Sequence, residues 1–326
     1  MDIFQPYIDS AYQRFLQWKG SDMCVVFPII TDLHSALDTV DCLNSQKRET
    51  LSHILIMNRA AKKFNADFTA NLGDCGIDVP VKDKDEVQLL IDRLYSYHNQ
   101  CTSKPALFAI GNHDIKCGIT SEFWGSVSRQ INKGYPINFQ EYGTYGFYDI
   151  PEKRTRIFFL FCNETEDYHS ESQLAFLEEN LSNLPDNWCA VAMQHICMHP
   201  LGRWQKGMGA PEQPKFVRLR NIFSSFVKNG GKLAGVFSGD SHFNLLENLD
   251  KVTYYSCQGY GGIGPSEAPS HALKAHEYCP ALDRTDSFNS ETTCLIDMVA
   301  VKPDKRETAI FRIGAEAENF TNFFKF

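Results

Sequence analysis

Five short motifs lie in one order along the chain: Asp32-Leu33-His34, Gly73-Asp74, Gly111-Asn112-His113-Asp114, Gln194-His195 and Gly239-Asp240-Ser241-His242. Their side chains are carboxylates, an amide and imidazoles, the donor types that hold divalent cations. Each motif stands where an apolar strand would end, so a fold that gathers those ends could hold two cations side by side. Such a pair generates hydroxide near neutral pH and clamps phosphoryl oxygens. Taken singly, each motif has an ordinary explanation, an aspartate capping a turn or a histidine satisfied in the core. The signal lies in their order.

Order and residue types together resemble the calcineurin-like metallophosphoesterase superfamily, whose pattern runs D-x-H, G-D, G-N-H-D/E, a lone His and G-H-x-H. The resemblance spans Asp32 to His242, and this chain departs from it once, carrying Asp240 where the first histidine of the last motif would stand. The implied fold is two packed mixed β-sheets flanked by helices, a four-layer sandwich. The implied ligands are Asp32, His34, Asp74 and His242 for one cation and Asp74, Asn112 and His195 for the other, with Asp74 bridging. Position 240 belongs to the second set. Carboxylate and imidazole donors suit Mn, Fe or Zn. By the same resemblance His113 protonates the leaving oxygen or binds a phosphoryl oxygen, with Asp114 holding its tautomer. The implied activity is hydrolysis of a small phosphomonoester or phosphodiester by attack of metal-bound hydroxide, with no covalent enzyme intermediate.

Aspartate is shorter than histidine, so Asp240 is expected to reach the second cation only through an inward loop or a bridging water, and His199 is the rival for that position or else a loop histidine that contacts substrate or solvent. Carboxylate in place of neutral imidazole also lowers Lewis acidity and repels an anionic substrate. Arg203 and Lys206, shortly after His195, are candidates to bind outer phosphate oxygens, against the plain reading of solvated charge. Gly259 to Gly264 spells G-x-G-x-x-G, but Pro265 follows where a helix should open, so a nicotinamide cofactor is not expected. Tyr260 in that loop could stack on a substrate ring. Cys75 and Cys197 read as packing residues rather than thiolate ligands. The alternative from another class is a non-catalytic metal-binding or protein-binding scaffold on the same fold.

The elements that must position these residues are legible in outline. A helix with Phe4, Tyr7, Ile8, Tyr12, Phe15 and Leu16 on one face precedes the first motif. Buried strands over Met23 to Ile30, Phe68 to Leu72 and Pro105 to Ile110 deliver the first three motifs, and helical patterns occupy Ser45 to Asn65 and the segment with Val87, Leu90, Ile91 and Leu94. Residues 117–143 read as a loop or small cap. Paired strands Tyr145 to Ile150 and Arg156 to Phe161 follow, then a helix with Leu174, Leu177 and Leu181, and a strand over Ala190 to Met193 that delivers His195. A helix carrying Phe216, Leu219, Phe223, Phe226 and Val227 leads to strand Leu233 to Ser238, which delivers Asp240 and His242. After strand Val252 to Cys257, residues 259–290 read as a long surface insertion. Strands Thr293 to Val301 and Thr308 to Ile313 are expected to complete the second sheet.

The whole, residues 1–326, is expected to be a single domain, since the chain can bury a large core. Its 32 basic and 40 acidic residues leave a formal charge of -8, which opposes capture of long nucleic acid or an anionic membrane. The longest apolar run, Met23 to Ile30, is far short of the roughly 20 residues of a bilayer span. The opening residues lack a basic start followed by an apolar stretch, and the 11 cysteines include no C-x-x-C pair, so a reduced, cytoplasmic protein is expected.

Overall fold

The computed structural model describes residues 4–33, 53–75, 84–99, 104–115, 119–162, 169–198, 213–241, 245–257, 296–314 and 321–326. A helix, α1 (Gln5–Lys19), is followed by strand β1 (Val25–Ile30), α2 (His53–Phe64), β2 (Thr69–Asn71), α3 (Lys84–Asn99) and β3 (Ala106–Phe108). Next come α4 (Ser121–Ile131), β4 (Ile137–Gln140), β5 (Tyr145–Ile150), β6 (Thr155–Phe159), α5 (Glu171–Ser182), β7 (Cys189–Met193), α6 (Pro214–Lys228) and β8 (Lys232–Ser238). Strands β9 (Leu245–Leu249), β10 (Val252–Ser256), β11 (Ile296–Lys302), β12 (Glu307–Ile313) and β13 (Thr321–Lys325) complete the order.

These strands form two mixed sheets flanked by helices. The first runs β13-β12-β11-β1-β2-β3, and the second β4-β5-β6-β7-β8-β10-β9. Strands β1, β2 and β3 are parallel, as are β6, β7, β8 and β10. Parallel strands buried on both faces need apolar residues throughout, which is why β1 reads as a continuous run rather than an alternation. Val25, Phe27 and Ile29 point between the sheets, while Val26 and Ile30 point to the helices on the outer face. Phe27 stacks on Phe68 at 4.5 Å and meets Phe237 of the opposite sheet edge-on at 5.8 Å. Helices α1 to α4 cover the first sheet, and α5 and α6 cover the second through Leu174, Leu177, Leu181, Phe216, Leu219 and Phe223. Local capping supports these helices: Ser170 accepts the Gln173 N–H at the start of α5, and Pro214 opens α6.

Two expectations are corrected. Strands β11 and β12 do not extend the second sheet; β11 pairs antiparallel with β1, Ile29 opposite Asp297, so the chain ends in the first sheet. Apolar alternation marks a strand but carries no information about its partner. The stretch read as a loop or small cap over 117–143 holds α4 and the edge strand β4. Helix α4 buries Trp124, Val127 and Ile131 against the first sheet's outer core. Gly125 and Ser128 share its buried face with them, so the apolar stripe is narrow. The insertion expected at 259–290 lies outside the described residues.

A buried polar bridge ties the sheets close to the first motif. Arg312 on β12 donates Nε and Nη2 to the two carboxylate oxygens of Asp297, each at 2.9 Å, and Tyr255 on β10 donates its hydroxyl to Asp297 at 2.8 Å. Tyr255 belongs to the second sheet, and Asp297 and Arg312 to the first. Asp297 sits opposite Ile29, three residues before Asp32, so a fully hydrogen-bonded ion pair holds the sheets in register beside the motif ends.

Candidate metal centre

The carboxyl ends of β1, β2, β3, β7 and β8 carry Asp32, Asp74, Asn112, His195 and Asp240, and the two sheets bring these ends together. The chain leaves β1, β2 and β8 by a sharp turn: Asp32, Asp74 and Asp240 all have left-handed backbones, at φ 53°, 53° and 62°. Aspartate tolerates that region better than most residues. Two glycines allow the close approach. A Cβ on Gly239 would lie 2.0 Å from Thr31 Oγ1 and 2.7 Å from Asp32 Oδ2, and one on Gly111 would lie 2.1 Å from Asp74 Oδ1.

Hydrogen bonds between the turns then set the side chains. The Asp240 N–H donates to both carboxylate oxygens of Asp32, at 3.2 and 3.0 Å, and the Thr31 hydroxyl donates to Asp32 Oδ2 at 2.7 Å. The His113 N–H donates to Asp74 Oδ1 at 2.8 Å. Asp114 accepts the N–H groups of Asp74 and Gly111 at Oδ2, each at 2.9 Å, clamping the second motif to the third. The Trp124 indole donates to the Asp114 carbonyl at 2.5 Å, so α4 supports the site through the third motif. Neither the Thr31 contact nor the Asp114 clamp was read from the sequence. A polar residue closing an apolar run was the available sign of the first.

Four donors converge on one point. Around His195 Nε2 stand Asn112 Oδ1 at 3.1 Å, Asp74 Oδ2 at 3.2 Å and Asp240 Oδ1 at 3.9 Å. The Asp240 carboxylate is buried, facing this group across 3.9 Å. Ligand atoms of Asp32, Asp74 and His195 also lie within 4.8 Å of one another. His195 Nδ1 faces the Leu72 carbonyl at 2.6 Å, which assigns its proton to Nδ1 and leaves Nε2 for the cluster when the ring is neutral. His113 stands at the edge, 22 % exposed, with Nε2 4.0 Å from Asp74 Oδ2. His34, His199, Arg203, Lys206, His242 and Tyr260 lie outside the described residues.

Asp32, Asp74 and Asp240 are buried together, and crowding like charges in a low-dielectric space is costly without a cation. A divalent ion fits this donor set, which offers carboxylate and amide oxygens with one imidazole nitrogen. Sulfur is not part of it: burial pushes the Cys75 thiol well above its ordinary pKa, and the Asn71 amide donates to its sulfur at 2.8 Å. Burial by itself would lower the His195 pKa, but Asp74, with Asp32 and Asp240 behind it, outweighs that and raises it to about 10 in the metal-free protein. Because this folded-state pKa exceeds the ordinary value of 6.5, the stability it brings is present below about pH 6.5 and is lost as pH rises through about 10. Ligation at Nε2 must displace that proton. Metal affinity of chelator-stripped protein is therefore expected to rise about tenfold per pH unit between about pH 6.5 and 8.5. Calorimetric titrations in buffers of different ionisation enthalpy would show the released proton, and a pH-independent affinity would contradict the arrangement.

The family model for calcineurin-like phosphoesterase matches residues 27–244. Among solved structures, a dimetal phosphatase from Danio rerio is similar over 92% of this chain and 98% of its own, with a TM-score of 0.62 at 12% identity. A purple acid phosphatase from yellow lupin seeds aligns over 93% of this chain and 54% of its own, with a TM-score of 0.55 at 11% identity. GAP50, the anchor in the inner membrane complex of Plasmodium, aligns over 93% of this chain and 89% of its own, with a TM-score of 0.54 at 10% identity. At such identities these likenesses speak to fold. No curated protein sequence matches the chain. Among the described residues, no helix is long and apolar enough to cross a membrane.

Proposed function

Since the chain belongs to the calcineurin-like phosphoesterase family, we propose that it is a metal-dependent hydrolase of small phosphoric esters with two divalent cations in its site. The observation that carries this reading is the convergence of Asp74, Asn112, Asp240 and His195, from both sheets, within 3.9 Å of one imidazole nitrogen. Bound there, divalent cations of the Mn, Fe or Zn type would supply Lewis acidity and an acidified water.

The residues have separate tasks. Asp32, with His34 and His242 from the family pattern, would hold one cation, and Asn112, His195 and Asp240 the other, with Asp74 as the residue they would share. His113, 22 % exposed beside Asp74, would serve as the proton donor to the leaving oxygen or as a hydrogen-bond donor to a phosphoryl oxygen. Asp114 acts through the backbone, fixing the turns that carry Asp74 and His113. Arg203, Lys206 and Tyr260 are proposed to contact the substrate, and His199 is the alternative ligand should Asp240 prove dispensable for metal.

A fold likeness to an anchor protein as well as to phosphatases means the fold alone does not decide between enzyme and scaffold. Elemental analysis of protein purified without chelator, together with hydrolysis of bis-p-nitrophenyl phosphate and p-nitrophenyl phosphate in added Mn, separates them. About two cations per chain with turnover are expected. Protein that holds one cation or none, and cleaves neither ester in excess Mn, would instead be a scaffold.

A further inference from the structure

Asp240 changes the electrostatics of the site as well as its ligand set. Its carboxylate is buried 3.9 Å from His195 Nε2, and its own N–H is bonded to Asp32, so its backbone is pinned to the first motif with the carboxylate among the donors. With histidine at that position, Asp32 and Asp74 would offset two of the positive charges that two divalent cations bring. Here Asp32, Asp74 and Asp240 offset three, leaving the centre one charge poorer toward anything that binds over it.

That difference acts unequally on the two classes of phosphoric ester. A phosphomonoester carries close to two negative charges near neutral pH, whereas a phosphodiester carries one, so removing a unit of positive potential penalises the monoester about twice as much. The loss is felt at short range and in a buried setting, where it is weakly screened. We infer that Asp240 sets the substrate class, making this centre selective for phosphodiesters and other monoanionic phosphoric esters over phosphomonoesters. This rests on the reading of the site as a dinuclear phosphoesterase, and it adds a specificity role for a residue at which the chain departs from the family pattern.

The test compares the unaltered protein with Asp240→Asn, which removes the charge but keeps size and an oxygen donor, and with Asp240→His, which restores the family pattern. All three are loaded with Mn and their metal content is measured first. The ratio of kcat/KM for bis-p-nitrophenyl phosphate to that for p-nitrophenyl phosphate is expected to fall by about tenfold or more in both variants. In parallel, calorimetry on the metal-loaded proteins at about pH 8 compares inorganic phosphate, largely a dianion, with dimethyl phosphate, a monoanion. Phosphate affinity is expected to rise by about tenfold or more in the variants while dimethyl phosphate changes much less. Equal ester ratios and equal phosphate preference at equal metal content would overturn the assignment. Should none of the proteins cleave either ester, the hydrolase reading fails, and the binding ratio alone then decides whether Asp240 discriminates by charge.

Discussion

Replacing His113 with alanine is expected to lower kcat for an ester with a poor leaving group by about a hundred- to ten-thousand-fold while leaving two cations in place. The imidazole sits on the solvent side of the site, 22 % exposed, with Nε2 4.0 Å from Asp74 Oδ2, so it can reach substrate without being a ligand. Its backbone N–H donates to Asp74 Oδ1 at 2.8 Å, and alanine keeps that bond. The loss should shrink as the leaving group improves, because a p-nitrophenolate departs with little need of a proton whereas an alkoxide does not. Steady-state rates on bis-p-nitrophenyl phosphate and on a dialkyl phosphate, which must expel an alkoxide, with metal content measured alongside, would read this out. An equal loss on all esters would reassign His113 to binding a phosphoryl oxygen, and no loss on any would remove it from the reaction.

Asp74→Asn should be the most damaging single change to metal binding. Asparagine retains an oxygen to accept the His113 N–H, so the turn should hold, but it offers one oxygen where the carboxylate offers two and it carries no charge. The oxygen that stands 3.2 Å from His195 Nε2 is the one at stake. Elemental analysis is expected to fall to one cation or fewer per chain, with turnover reduced by about a thousandfold or more. A second effect separates loss of ligation from misfolding. Asp74 is the leading cause that raises the His195 pKa, so in the metal-free variant that pKa should drop well below its present value of about 10, read by NMR titration of the imidazole. A variant that keeps two cations and its turnover would exclude Asp74 as the bridging residue.

Legibility of the site differed by residue. Asp32, Asp74, Asn112, His113 and His195 were recognisable because chemistry restricts residue type and because each ends an apolar run. Asp114 was recognisable as part of a motif, but not the N–H groups of Asp74 and Gly111 that its carboxylate oxygen Oδ2 accepts. Backbone partners leave no trace in residue identity. The Leu72 carbonyl that orients His195 is invisible for the same reason, lying 123 residues away in the chain.

The fold shows a similar division. Buried strands such as β1 and helices with one apolar stripe such as α5 announce themselves through local periodicity. Strands β4, β9 and β13 went unread: they lie at sheet edges, where one flank has no neighbouring strand among the described residues and a short, mixed pattern suffices. Helix α4 was hidden by small polar residues that its packing against β3 and α3 tolerates.

By itself the sequence determined that buried parallel strands alternate with helices and that each of several strands ends in a metal-binding type of side chain, because strand period, helix period and donor chemistry are local properties of a few residues. Only the tertiary structure decided that β11 and β12 flank β1, that Asp114 clamps two turns, and that Asp240 comes within 3.9 Å of His195 Nε2. Those outcomes depend on sheet register and on how closely one turn can approach another. A glycine at 239 or 111 permits such approach but cannot specify it, since the partner lies in another strand of another part of the chain.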